Sequence, residues 1–84
     1  MKKPVYSVRD SKAETWTFPF QSENNATAIR DFQTLVKDGR TLVGQHPEDF
    51  SLFLIGEYDF TTGIFINGVQ QVHLACGSDF VKGE

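Results

Sequence analysis

Apolar residues recur with two different periods along the chain. Val5-Tyr6-Ser7-Val8 opens with β-forming residues, Asp10-Ser11-Lys12-Ala13 supplies turn chemistry, and Thr15-Trp16-Thr17-Phe18-Pro19-Phe20 alternates polar with aromatic positions. This pattern predicts a hairpin. Trp16, Phe18 and Phe20 share one parity, so the second strand should carry an aromatic face, and Pro19, which has no N–H for a ladder, favours a sheet edge. The spacing then becomes helical. Ala28, Ile29, Phe32, Leu35 and Val36 fall on one side, with Arg30, Asp31, Gln33, Thr34 and Lys37 on the other. Ser22 is the expected N-cap, with Glu23 in the first turn. Asp38-Gly39 should end the helix, with Gly39 left-handed and Lys37 at the negative end of the dipole.

Arg40 to Gln45 reads as a connector, and His46-Pro47-Glu48-Asp49 as a polar turn. Phe50 to Asp59 is apolar on both parities, with Phe50, Leu52, Leu54 and Tyr58 against Phe53 and Ile55. Such a strand belongs at the centre of a sheet, covered on more than one side. Asp59-Phe60-Thr61-Thr62-Gly63 fits a type I turn with a glycine bulge, returning into Ile64-Phe65-Ile66. Val69 to Cys76 fits a short helix or a strand, and periodicity does not decide between them. The expected fold is α+β: a small antiparallel sheet in β-β-α-β-β order with one amphipathic helix packed on it through Ile29, Phe32, Leu35 and Val36. Without repeats or linkers, residues 1–84 form a single domain. One helix covers one sheet face, so a second subunit is expected on the other face of the central hairpin, giving a homodimer.

Composition narrows the setting. A chain of 84 residues buries roughly 60% of its unfolded surface, enough for one thin core. The net charge of −3 is uneven: residues 1–40 hold seven Lys or Arg against five acids, and the remainder holds one Lys against six. A single cysteine, Cys76, excludes an internal disulfide and points to a reducing interior. Lys2 and Lys3 are followed by Pro4, Arg9 and Asp10 rather than by the apolar stretch of a signal peptide, and no segment has membrane-spanning length.

Catalytic signals are weak. His46, Glu48 and Asp49 are ingredients of acid–base or metal chemistry, yet they read better as a turn in which a carboxylate accepts backbone N–H bonds. His73 and Cys76 stand three apart, but a structural zinc requires four such ligands. The seven glycines are dispersed, which excludes a phosphate loop. No enzyme activity, metal or cofactor is expected. One constellation does suggest a partner. Tyr6, Trp16, Phe18 and Phe20 lie near Lys2, Lys3, Arg9 and Lys12, the mixture of rings and cations used to bind single-stranded nucleic acid.

Four segments carry a family resemblance: Val5 to Glu14, Ala28 to Phe32, His46 to Phe53 and Ile55 to Gly63. In this order they resemble the small nonstructural protein of gokushovirus-type microviruses. The stretch from Asn67 to Ala75 departs from that family's proline-containing tail. The resemblance implies a phage accessory protein of the host bacterial cytoplasm, absent from the virion, that assists single-stranded DNA synthesis or packaging. It supplies no catalytic residues. The combined expectation is single-stranded DNA binding through the N-terminal hairpin, with Tyr6 and Trp16 stacking on bases and Lys2, Lys3, Arg9 and Lys12 on phosphates. Arg30 and Arg40 would extend that surface. The alternative is a non-catalytic adaptor that binds a viral or host replication protein through an exposed apolar sheet face or the acidic second half.

Overall fold

The structure, a computed structural model, describes residues 1–81 and, for residues 68–70, the backbone alone. β-forming residues make β1 (Lys2–Asp10), which pairs antiparallel with β4 (Phe50–Asp59), and β4 pairs antiparallel with β5 (Ile64–Cys76). On the other side of β1 lie two short strands, β2 (Thr15–Trp16) and β3 (Phe20–Gln21). The sheet runs β2-β1-β4-β5, with β3 also on β1. The chain is thus α+β with β4 at the centre. The open segment Val69 to Cys76 is strand.

The expected second strand is broken. Asp10 Oδ1 accepts the N–H groups of Lys12 and Ala13 at 3.0 and 3.2 Å and closes the turn. Thr17 N still reaches Val8 O at 2.9 Å, but the segment through Pro19 leaves the ladder before Phe20 rejoins it. The three aromatics therefore do not share a face. Phe18 is 92% exposed, whereas Phe20 lies against Tyr6 with ring centroids 5.8 Å apart.

Helix α1 (Asn25–Lys37) is capped by Asn24, not by Ser22. Asn24 Oδ1 accepts from Thr27 N at 2.9 Å and Asn24 N donates to Thr27 Oγ1 at 3.1 Å, a reciprocal box. Glu23 precedes the helix and pairs with Lys3, so the first turn holds no acid. At the other end Gly39 is not left-handed; Asp38 caps α1 in an extended conformation with φ −92°. The Asp38 carboxylate accepts from Arg40 N at 3.0 Å and Arg40 Nε at 2.9 Å, and this local ring turns the chain. The connector is itself a short helix, α2 (Leu42–Gln45), capped by Thr41. Pro47–Asp49 is a single 3₁₀ turn, tied to the first hairpin by the Asp49 carbonyl, which accepts from Ser11 N at 2.9 Å.

The core lies between α1 and one sheet face. Ala28, Phe32 and Val36 pack on Tyr6, Val8, Phe50, Leu52 and Ala75. Ile29 packs at the margin and Leu35 stays exposed, so the buried stripe keeps its expected centre on Phe32 and is narrower than expected. Phe80, from a C-terminal 3₁₀ turn (Gly77–Phe80), meets Phe32 edge-on at 6.1 Å. Between Leu54, which faces Tyr6, and Gly56, which faces Val5, Ile55 has no partner in β1. This bulge reverses the facing of the strand beyond it and puts Tyr58 with Val5 and Phe65, away from the Leu52 and Leu54 face. The second hairpin forms as expected: Gly63 takes φ 76° and its N–H bonds to Asp59 O at 2.7 Å.

Leu52 is fully buried, so Leu52→Ala is expected to cost about 2–5 kcal/mol in urea unfolding. Asn24→Ala is expected to cost about 1 kcal/mol, and Phe18→Ala to change stability by less than about 0.5 kcal/mol.

Candidate nucleic-acid interface

Alternation along β1 turns Tyr6 and Val8 toward α1 and Ser7 and Arg9 away from it. The register then sets neighbours on that second face: Arg9 opposite Trp16, Ser7 opposite Phe53, and Phe53 opposite His73. These side chains form a row across four strands. The Trp16 and Phe53 ring centroids are 5.0 Å apart at 64°, and those of Phe53 and His73 are 5.2 Å apart at 79°. The Arg9 guanidinium carbon sits 5.6 Å from the centre of the Trp16 ring. Trp16 remains 39% exposed and His73 is exposed, so the ends of the row meet solvent.

Beside the row lies an open groove of about 300 Å³. Trp16 and Phe65 line it, together with Ile55, Pro19, Asn67 and Gln71. Gly56 shapes this place, because a Cβ there would stand 2.6 Å from Ile66 O and 2.8 Å from the Phe65 ring. The absent side chain lets Phe65 lie against the strand.

The structure separates the residues that sequence reasoning grouped. Trp16 and Arg9 meet on the open face. Tyr6 is on the opposite face, fully buried, and its Oη donates to Asn25 Oδ1 at 2.7 Å, so no base can stack on it. Burial also pushes its phenol above the ordinary tyrosine value. Lys3 pairs with Glu23 and lies 6.0 Å from the Phe60 ring centre. Lys2 is exposed at the start of β1 and Lys12 at the tip of the first hairpin. Arg30 is exposed on α1, beyond the core from the aromatic row. Arg40 is held in a bidentate pair by Asp38, whose carboxyl it keeps below the usual carboxylate range. Neither arginine extends the Trp16 surface. Phe53, His73 and Phe65 do extend it, and the signal for the first was the apolar residue on the second parity of β4.

The other titratable clusters are peripheral to this face. One ligand atom from each of His46, Glu48 and Asp49 lies within 4.8 Å of the others, on the surface turn. That turn is held by the Asp49 main-chain carbonyl, not by a carboxylate as expected. His73 stacks on Phe53, while Cys76 Sγ accepts from Ser78 Oγ at 3.3 Å. Among the described residues, no helix is long and apolar enough to cross a membrane.

Fold and site together define a small α+β protein with one sheet face packed under a helix and the other presenting rings to solvent. Residues 3–80 match the family described as Phage ORF5 protein; the chain belongs to that family and is a phage protein. No curated protein and no solved structure matches the chain.

The buried phenol supplies a pH test of the packing. Its folded-state value is raised, so its contribution is complete below the unfolded value of about 10 and is lost as the pH rises beyond it. Tyr6→Phe is expected to cost about 1 kcal/mol near neutrality through the lost bond to Asn25, and the gap to the parent should narrow above about pH 10. Urea unfolding at the two pH values measures both quantities.

Proposed function

We propose that this phage protein binds single-stranded DNA on the sheet face opposite α1, assisting synthesis or packaging of a single-stranded viral genome. The observation that carries this reading is the Trp16–Phe53–His73 row with Arg9 over the indole. Bases stack on exposed rings whatever their sequence, at about 1–3 kcal/mol per base, and a guanidinium beside a ring adds a phosphate contact. Lys12 is a further exposed cation at the tip of the neighbouring hairpin, whereas Lys2 shares the Tyr6 parity of β1 and lies on the α1 side. The role is binding rather than catalysis. Its setting is the host cytoplasm, where the genome is copied, and not the virion, in keeping with the microvirus resemblance of residues 5–63.

The net charge of −3 makes stacking the larger contribution and phosphate contact the smaller one. In fluorescence anisotropy with a labelled single strand, affinity should fall with salt along a log–log slope of about −1.4, two phosphates at about −0.7 each. Trp16→Ala should weaken binding by about 1–3 kcal/mol, Tyr6→Phe and Arg30→Ala should leave it unchanged, and a duplex of the same sequence should bind less well. Equal affinity of the parent and Trp16→Ala defeats the reading.

A second reading, a protein contact, rests on a separate patch. Ile64, Ile66 and Val72 are 58, 39 and 48% exposed and lie on the α1 side of β5, where the helix does not reach. A second copy or a replication protein would cover them. If the occupant is a second copy, light scattering should give twice the 9.5 kDa chain mass, and Ile66→Lys should restore the single mass.

A further inference from the structure

The two edges of the sheet are built differently. One is formed by β2 and β3, each two residues long, with Pro19 between them and Lys12 and Glu14 at the hairpin tip. Short strands, proline and charge keep a neighbouring strand from adding there. The other edge is β5, thirteen residues that include no Lys, Arg, Asp, Glu or Pro. Among the described residues, β5 pairs with β4 alone.

The hydrogen-bond pattern shows which of its main-chain groups point outward. Phe60 N donates to Met1 O at 3.0 Å, which makes Lys2 and Asp59 a pair whose own N–H and C=O groups turn away from each other. Those of Asp59 therefore face β5, and its carbonyl accepts from Gly63 N at 2.7 Å. Alternation along the next pairs directs the groups of Ile66 to Glu57 and leaves those of Phe65 and Asn67 on the outer edge. Beyond Asn67 the strand leaves regular pairing until Val72, so residues 64–67 are the stretch a neighbouring strand can follow. Apolar surface is open there too: Ile64, Phe65 and Ile66 are 58, 48 and 39% exposed.

We propose that two copies of the chain join β5 to β5, antiparallel, about a two-fold axis at Ile66. In that register Phe65 exchanges both main-chain bonds with Asn67 of the partner subunit, and the axis repeats the exchange, so every outward group of residues 65 and 67 is satisfied. Ile66 meets the partner subunit's Ile66 across a close pair, apolar against apolar. An identical strand is the occupant this stretch fits: without charge it sets no like charges opposite one another, and it offers a charged partner nothing to pair with. The axis stands perpendicular to the sheet, so both copies turn their ring faces to one side and α1 to the other. The inference rests on the second-copy reading of the Ile64, Ile66 and Val72 patch and specifies how the copies meet.

The test combines light scattering with amide hydrogen exchange followed by NMR, both on the full chain. The parent should have twice the 9.5 kDa mass. Asn67→Pro removes an outward donor that β4 does not use and leaves the apolar patch intact; it should weaken dimerisation by about tenfold or more. In the parent, at two protein concentrations about a hundredfold apart, the Phe65 and Asn67 amides should be protected at the higher and exchange freely at the lower, while the Ile66 amide stays protected at both. That exchange pattern decides the matter even if Asn67→Pro fails to fold. A dimer whose Phe65 and Asn67 amides exchange freely at both concentrations overturns the edge pairing and leaves a second copy on the patch standing. A single mass at the higher concentration overturns both.

Discussion

Everything in this structure depends on β4 having two apolar faces and the chain having one helix of useful length. A central strand rich in Leu, Phe and Ile is stable only if both of its faces lose water. Helix α1 covers the face that carries Leu52 by setting Ala28, Phe32 and Val36 on it. Among the described residues no second helix of comparable length covers the other. That face is shielded side by side instead of layer by layer: Phe53 lies between Trp16 and His73, and Phe65 lies against Gly56. Shielding of this kind leaves ring surface in contact with solvent, the physical origin of the proposed binding face.

The second organising feature is the pair of bulges at the middle of the sheet. Opposite Val5 and Tyr6, β4 gains Ile55, and between Gly56 and Leu54 β5 takes five steps, from Asn67 to Val72, against two of β4. An extra residue in one strand reverses which side chains face which way beyond it. Leu54 points into the core and Tyr58 does not, although the two are an even number of places apart. Trp16, Ile55, Phe65, Asn67 and Gln71 border a groove at this irregular part of the sheet. A regular sheet of this composition would offer a flat ring surface without a groove.

Charge plays a supporting part. Two cations of the N-terminal half are neutralised where they stand, Lys3 by Glu23 and Arg40 by Asp38, and Arg30 projects from the helix layer. What remains on the open face is Arg9 on the indole; Lys12 stands at the tip of the first hairpin and Lys2 shares the Tyr6 parity of β1. The proposed binding, by an acidic protein with so few cations, would rely on stacking and shape rather than on a field. Membership of the phage ORF5 family makes the chain a phage protein.

Sequence alone determined the local elements wherever one periodicity or one turn was unambiguous. The helix around Phe32, the two hairpins, the left-handed Gly63 and the central place of Phe50 to Asp59 follow from spacing, because those preferences act over a few residues. Tertiary structure decided what spacing leaves degenerate. Asn24 and Ser22 are both good caps, and only the closing bond to Thr27 selected the former. Tyr6 and Trp16 look alike as aromatic strand residues, but pairing of β1 with a strand more than forty residues away buried one beneath α1 and left the other in the open. The site went the same way: Phe53, Phe65 and His73 join Trp16 only because β1 pairs with β2 on one side and with the distant β4–β5 hairpin on the other, and a bulge invisible to alternation turned the rest of β4 over. Local preference sets the elements, and the long-range register, fixed by which faces must be buried, sets the surface.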